Sequence, residues 1–278
     1  MKTRDGARVA PLGMGTWSLG DSKVTHKEEV TCLHEGLDAG LTMIDTAEIY
    51  GNGRSETLVG DVMAVRRQDA FLVSKIMPNH ATFEGTQRHC RASLERLKTD
   101  YLDLYLLHWR GHIPLHETIE AMEKLKSDGL IRHWGVSNFD VEDMEEVVAL
   151  TPHCACNQVL YNLRNRGTEF ELLSKLEAHR IKAVACSPLG HDGSLLQHPI
   201  CQTIAQEYQT PAGPATSAQI ALAWVLRQEN LVAIPRTSSR EHMRENVLAS
   251  DIHLSSSSLA ALDAVFAPPK QKRSLEMI

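Results

Sequence analysis

The chain has 278 residues, 42% of them apolar and 23% charged, with a formal net charge of -6. This composition excludes a disordered or fibrous protein, and the acidic balance excludes an overall basic footprint for nucleic acid. No apolar run approaches the roughly 20 residues of a membrane helix. The stretch MKTRDGARVAPLG lacks the apolar centre of a secretory signal, so a cytoplasmic location is expected. The six cysteines, at 32, 90, 154, 156, 186 and 201, are read as free thiols. No second Cys or His pair stands at zinc-finger spacing from Cys154 and Cys156, and no metal is expected.

Taken in chain order, short apolar runs that end in a polar residue alternate with longer amphipathic stretches. Asp5-Gly6 is a hairpin turn signal ahead of the first run. LGMGTW precedes the helical HKEEVTCLHEGLDAG. There Thr25 is expected to cap the helix with Glu28 completing a capping box, and Val30, Leu33 and Leu37 form one stripe that Gly40 ends. LTMIDTA leads to SETLVGDVMAV, and AFLVSKI to TQRHCRASLERL, whose apolar face is Cys90, Leu94 and Leu97. YLDLYLLHW leads to LHETIEAMEKLKSDG, with Ile119, Met122 and Leu125 on one face. IRHWGVSN precedes VEDMEEVVAL, CNQVLYN precedes FELLSKLEAHR, IKAVACSPLG precedes SAQIALAWVLRQ, and LVAIPRTS precedes EHMRENVLA.

Runs buried on both faces are what parallel strands covered by helices look like. Eight strand–helix units at a spacing of roughly 30 residues predict an α/β protein, a (β/α)8 barrel forming one domain over residues 1–278 with a short N-terminal hairpin. The rival is a doubly wound open sheet. Gly13-Met14-Gly15 has no third glycine where that fold's dinucleotide fingerprint needs one.

Barrel chemistry sits at the C-terminal ends of strands. Read in order, those ends are Asp45, Lys75, His108, Asn138, Gln158, Ser187 and Arg236. Tyr50 follows Asp45 from the next loop. A tyrosine hydroxyl, near 10 in reference peptides, is a poor proton donor at neutral pH unless a neighbouring cation favours the phenolate. Lys75 supplies that cation, Asp45 holds it as an ion pair, and His108 orients a substrate oxygen. This set suits protonation of a carbonyl oxygen while a nicotinamide cofactor brings the electrons. Each residue alone also has an ordinary structural reading: Asp45 as a cap, Tyr50 as a packed loop ring, Lys75 as a solvated side chain, His108 as a satisfied core histidine. Their occurrence at three successive strand ends favours a site.

Further along, Ser137, Asn138 and Gln158 are suited to grip a carboxamide. Arg236, Thr237 and Ser238 stand just before a helix, where an arginine and hydroxyls suit a phosphate. That pattern favours the 2'-phosphate of NADP over NAD.

At these residues the chain resembles the aldo-keto reductase family, over about residues 7 to 270. The motifs are GMGTW, DTAEIYGN followed by SE, SK at 74 to 75, SLERLKTDYLDLYLLHW, GVSNF, NQVLYN, SPL and IPR. The resemblance implies a (β/α)8 barrel, NADPH-dependent reduction of aldehydes and ketones without metal, and a monomer. It implies Tyr50 as general acid, assisted by Lys75 and Asp45, with His108 orienting substrate. Cofactor contacts would come from Gly15, Thr16, Trp17 and Asp45, from the Ser137–Asn138–Gln158 clamp, and from Cys186, Ser187, Leu189 and Ile234. Arg236, Thr237, Ser238, His242, Glu245 and Asn246 would complete the cofactor site. Trp17, Met77 and Trp109 would wall the substrate pocket. The pattern is most similar to bacterial members that reduce methylglyoxal and other small aldehydes.

This sequence departs from the family pattern in several places. Cys186 replaces a tyrosine that stacks on the nicotinamide, with loss of contact area. Arg236 replaces a lysine, His242 an arginine, and Met77 an aromatic. The tail after Pro269 is short, which implies an open, permissive site. Two other classes remain: an NADPH-sensing binding protein on the same fold, and a lyase using Lys75 as a Schiff base. The complete Asp45–Tyr50–Lys75–His108 set argues against the first. An ion pair that keeps Lys75 protonated argues against the second.

Overall fold

Consecutive apolar positions form strands here because each strand is covered on both sides, by the barrel interior and by a helix. The computed structural model describes residues 9–277; the hairpin expected around Asp5-Gly6 lies outside them. The repeating units begin with β1 (Met14–Gly15), α1 (His26–Asp38), β2 (Met43–Asp45), α2 (Arg54–Arg66), β3 (Phe71–Ile76), α3 (Phe83–Leu97), β4 (Leu102–Leu107) and α4 (Leu115–Ser127). They continue with β5 (Ile131–Ser137), α5 (Val141–Leu150), β6 (Cys156–Leu160), α6 (Leu172–Ala178), β7 (Lys182–Cys186) and α7 (Pro199–Ala205). A small antiparallel hairpin, β8 (Gln209–Thr210) and β9 (Gly213–Pro214), precedes α8 (Ser217–Leu226), β10 (Leu231–Ala233), α9 (Arg240–Leu248) and α10 (Ser256–Val265).

The sheet order is β1-β2-β3-β4-β5-β6-β7-β10, every neighbour parallel. Parallel bridges Leu12–Ala233 and Gly15–Arg236 join its two edges, so the eight strands close into a barrel. Glycine is required at that seam: a Cβ on Gly15 would stand 2.8 Å from the Ile234 carbonyl oxygen.

Two apolar clusters result. The larger lies between strands and helices, and the smaller fills the barrel with Met43, Val73, Leu104, Leu106, Cys156, Val184 and Val232. Moving two residues along a strand keeps the side chain on the same face. Each interior position therefore leads to one at the mouth: Met43 to Asp45, Val73 to Lys75, Leu106 to His108, Cys156 to Gln158. The apolar layer is the floor of the polar one.

Some local expectations are revised. Thr25 stands at the N-cap of α1 but makes no capping bond; its hydroxyl instead donates to Glu29 Oε1 at 2.9 Å, and no box with Glu28 forms. The β6 strand runs two residues past Gln158. Among the described residues, no helix is long and apolar enough to cross a membrane.

Candidate active site

Asp45 ends β2 and Lys75 lies one residue from the end of β3, so the parallel register carries both to the same rim. The loop after β2 stays bonded to β3, with Thr46 N donating to Val73 O at 2.9 Å and Glu48 N to Lys75 O at 3.3 Å. It then turns through Tyr50–Gly53, with the phenol held against Lys75. Lys75 Nζ donates to Asp45 Oδ2 at 2.7 Å, to Thr46 O at 2.9 Å and to Tyr50 Oη at 3.2 Å. Gln158 Nε2 donates to the other carboxylate oxygen of Asp45 at 2.8 Å. Lys75 is fully buried and so satisfies all three of its donors on protein atoms. His108 completes the set, its ring 5.7 Å from that of Tyr50 at an interplanar angle of 74°.

The electrostatics follow from burial. Burial opposes the Lys75 charge, but the Asp45 carboxylate and then Tyr50 outweigh it and hold Lys75 above its ordinary value. Burial pushes the Tyr50 phenol up to about 12, against the downward pull of Lys75. The expectation that the ammonium would bring Tyr50 below its ordinary value is therefore overturned in the protein alone: loss of water wins. Burial, and then the Lys75 charge, lowers His108 to about 3, so its imidazole is neutral at physiological pH. Among the described residues its buried Nδ1 has no partner. A neutral imidazole has one donor nitrogen, and Nε2 is the one left to serve a substrate oxygen.

An open groove of about 370 Å³ runs from this centre across the mouth of the barrel. Its walls include Gly15, Thr16, Trp17, Asp45, Tyr50 and His108 on one side, then Ser137, Asn138 and Gln158. Cys186, Ser187, Leu189, Ile234 and Arg236 carry it over β7 and β10. Asn138 and Ser187 have left-handed backbones, with φ of 58° and 43°, which turns the chain sharply at these two strand ends. The Ser137 hydroxyl donates to Gln158 O at 3.0 Å, and Asn138 Nδ2 donates to Ser137 Oγ at 3.2 Å and His108 O at 3.1 Å. Burial pushes the Cys186 thiol up to about 12, leaving a neutral, polarizable wall. At the far end Arg236 is exposed, and its Nε donates to Trp17 O at 3.2 Å.

Thr237, Ser238, His242, Glu245 and Asn246 continue past the groove's end into α9. Thr237 Oγ1 accepts from Ser239 N at 3.0 Å, and Ser239 caps α9 by accepting from His242 N at 3.3 Å. Of the three expected pocket walls, Trp17 lines the groove, 56% exposed, whereas Met77 and Trp109 are not among its lining residues. Trp109 packs its ring 5.0 Å from that of His108. The tail residues Lys272–Glu276 lie beside Asp140, Leu160 and Phe170, clear of the groove.

Sequence reasoning missed a buried hydroxyl cluster that supports the loop. Thr16 Oγ1 donates to Asp45 O at 2.8 Å, and Ser55 Oγ lies 2.7 Å from Thr16 Oγ1 and 2.9 Å from Thr46 Oγ1. Thr46 and Ser55 both sit in the DTAEIYGN…SE motif, which was the available signal. It also missed Ser18, Pro188, Gly190, His191 and Pro235 in the groove wall, all but His191 adjacent to a residue it had chosen.

With this geometry described, comparison with known proteins is specific. The model of the Aldo/keto reductase family matches residues 11–267. The chain is 42% identical to methylglyoxal reductase YeaE of Escherichia coli (strain K12), covering 96% of this chain and 94% of that protein. It is 33% identical to glyoxal reductase of Bacillus subtilis (strain 168), covering 95% and 92%. Among solved structures, an aldo-keto reductase from Klebsiella pneumoniae in complex with NADPH superposes with a TM-score of 0.94 at 45% identity, covering 100% and 99% of the two chains. Fold, polar rim and family match agree, and the chain belongs to the aldo/keto reductase family.

Proposed function

We propose that this protein reduces small aldehydes and 2-oxoaldehydes such as methylglyoxal to alcohols with NADPH. The observation that carries the reading is the contact of Lys75 Nζ with both Asp45 and Tyr50 at the mouth of the barrel, with neutral His108 across from the phenol. The names of relatives that reduce methylglyoxal and glyoxal, and of a neighbour crystallised with NADPH, support the substrate class and cofactor.

The groove fits such a cofactor. Its inner half offers amide and hydroxyl groups at Ser137, Asn138 and Gln158 for a carboxamide, and its outer end offers the exposed Arg236 guanidinium for a phosphate. When bound, NADPH supplies the hydride. The chain's own residues manage the oxygen. His108 donates from Nε2 to the carbonyl oxygen and polarises it. As negative charge develops there, Tyr50 gives its proton to that oxygen. At about 12 Tyr50 is fully protonated at pH 7, and it still loses its proton readily to a far more basic alkoxide. Lys75 stabilises the phenolate left behind, and Asp45 keeps Lys75 charged and in place.

The test is NADPH consumption with methylglyoxal and a few aromatic aldehydes, wild type against Tyr50→Phe. The expected result is a fall in kcat of about 10²–10⁴, the usual worth of a positioned acid, with KM little changed. Equal rates in the two proteins would remove Tyr50 from its role. Replacing NADPH by NADH in the same assay tests the phosphate end of the groove.

A further inference from the structure

Beside the loop that carries Tyr50, three side chains that play no part in the proposed reduction converge on one point. Glu48 lies in that loop, buried. His80 ends the short turn Pro78–His80 after β3, and His89 stands in α3. Glu48 Oε1 is 3.0 Å from His80 Nδ1, and Glu48 Oε2 is 2.6 Å from His89 Nδ1. One candidate donor atom from each of the three residues lies within 4.8 Å of the other two. The two imidazoles stack, with centroids 3.8 Å apart and planes at 20°.

Satisfying Glu48 does not require two histidines. Glu48 Oε1 already accepts from Met77 N at 2.8 Å. What the arrangement provides is two ring nitrogens and a carboxylate gathered within 4.8 Å of one another. Zinc takes two His and one carboxylate with its fourth position open, at bonds of about 2.0–2.2 Å, which places ligand atoms about 3.3 Å apart. Reaching that shape requires the two imidazoles to rotate out of their 20° stack so that both nitrogens face one ion. The fourth position has a route to solvent, since the His80 and His89 side chains are 32% and 22% exposed. The Met77 amide bond orients the carboxylate from behind, as supporting contacts do at metal centres.

We propose that Glu48, His80 and His89 form a binding site for a divalent transition metal of the zinc type. The imidazole-rich donor set selects against magnesium and calcium, which prefer oxygen ligands. The ligands are 32 and 41 residues from Glu48 along the chain, so no zinc-finger spacing announces them. Because Glu48 stands between Asp45 and Tyr50, a bound ion ties the loop bearing the phenol to α3.

The experiment uses the full chain without an affinity tag, dialysed against Zn2+ alone and assayed for retained metal and thermal midpoint. Wild type, Cys186→Ser and the His80→Asn/His89→Gln double variant are compared. The expected result is one retained equivalent and a raised midpoint in wild type and Cys186→Ser, with both lost in the double variant. Co2+ added to wild type should give ligand-field bands without thiolate-to-metal charge transfer, a readout that requires no variant to fold. Absence of zinc from wild type, equal retention by the double variant, or a thiolate band with Co2+ would each overturn the proposal.

Discussion

Lys75 carries a charge in a place with no water, and that charge survives because Asp45 and the Thr46 carbonyl surround it. Removing one partner of a buried ion pair is costly, about 3–5 kcal/mol, because the other is left uncompensated. Lys75→Met is therefore expected to lower stability by that amount and also to abolish most turnover. The Asp45→Asn/Lys75→Met double variant should recover much of the stability, since no lone charge remains, but none of the activity. Urea denaturation and steady-state kinetics on the three proteins check this; recovery of turnover in the double variant would contradict the role of Lys75. His108 gives a second prediction. Its folded value of about 3 is below the unfolded value near 6.5, so the unfolded chain binds more protons in that window. Its contribution is complete above pH 6.5 and is lost as pH falls towards 3. Between pH 7.5 and 5 the loss is about 2 kcal/mol. Wild type should lose that much more than His108→Gln when the two are denatured at both values. Asp45, Lys75 and His108 were legible in the sequence because a polar residue ending an apolar run is conspicuous. Glu48 and His89 were not, because nothing local links a loop glutamate to a histidine in the middle of a helix.

At the scale of elements, the position of the phenol depends on a turn that few sequences can make. Gly51, Asn52 and Gly53 have φ of 56°, 54° and 85°, three consecutive residues in the left-handed region. Only that curl brings Tyr50 back over Lys75 before α2 begins. Ala at position 53 would adopt a strained backbone, at about 1–2 kcal/mol. Its Cβ would also meet the Arg96 side chain, 2.7 Å from Cδ. Arg96 is bonded to the buried Glu56 at 2.6 Å, so it has little freedom to move away. Gly53→Ala is expected to lower the thermal midpoint by several degrees and to reduce kcat more than it changes KM. A variant with unaltered kcat would show that the phenol does not depend on this curl. Gly-Asn-Gly is a turn signal in its own right, just as period-3.6 stripes advertised α1, α3 and α4. The segment from Gly190 to Thr216 was not legible. Its helix α7 has seven residues and its hairpin two residues per strand, too short for a hydrophobic period to register. The C-terminal α10 was hidden for another reason: a serine run at its start reads as loop, while Ser255 in fact caps it by accepting from Ser258 N at 3.1 Å.

For the whole molecule, the seam where the barrel closes is one of the thinner lines of the sheet, alongside β1–β2 and β5–β6 with two register pairs each. Most neighbouring strands share three or more register pairs, whereas β1 meets β10 through two isolated bridges. Backbone hydrogen bonds cross there from Gly13 N to Ala233 O at 2.8 Å, from Ala233 N to Pro11 O at 2.9 Å and from Gly15 N to Pro235 O at 3.0 Å. The groove assigned to NADPH lies across this seam, with Gly15, Thr16 and Trp17 on one bank and Ile234, Pro235 and Arg236 on the other. A cofactor held by both banks would staple the barrel shut, and ligand that binds only the folded state stabilises it by mass action. At a free concentration of 100 Kd the gain is about 2.7 kcal/mol, which for a chain of this size raises the thermal midpoint by about 5–10 °C. Amide exchange should slow most at residues 12–17 and 231–238, the two sides of the seam. Arg236→Ala should weaken both effects at the same NADPH concentration, because the outer bank loses its cation. Protection spread evenly over all eight strands would mean that the cofactor stabilises the fold without closing the seam.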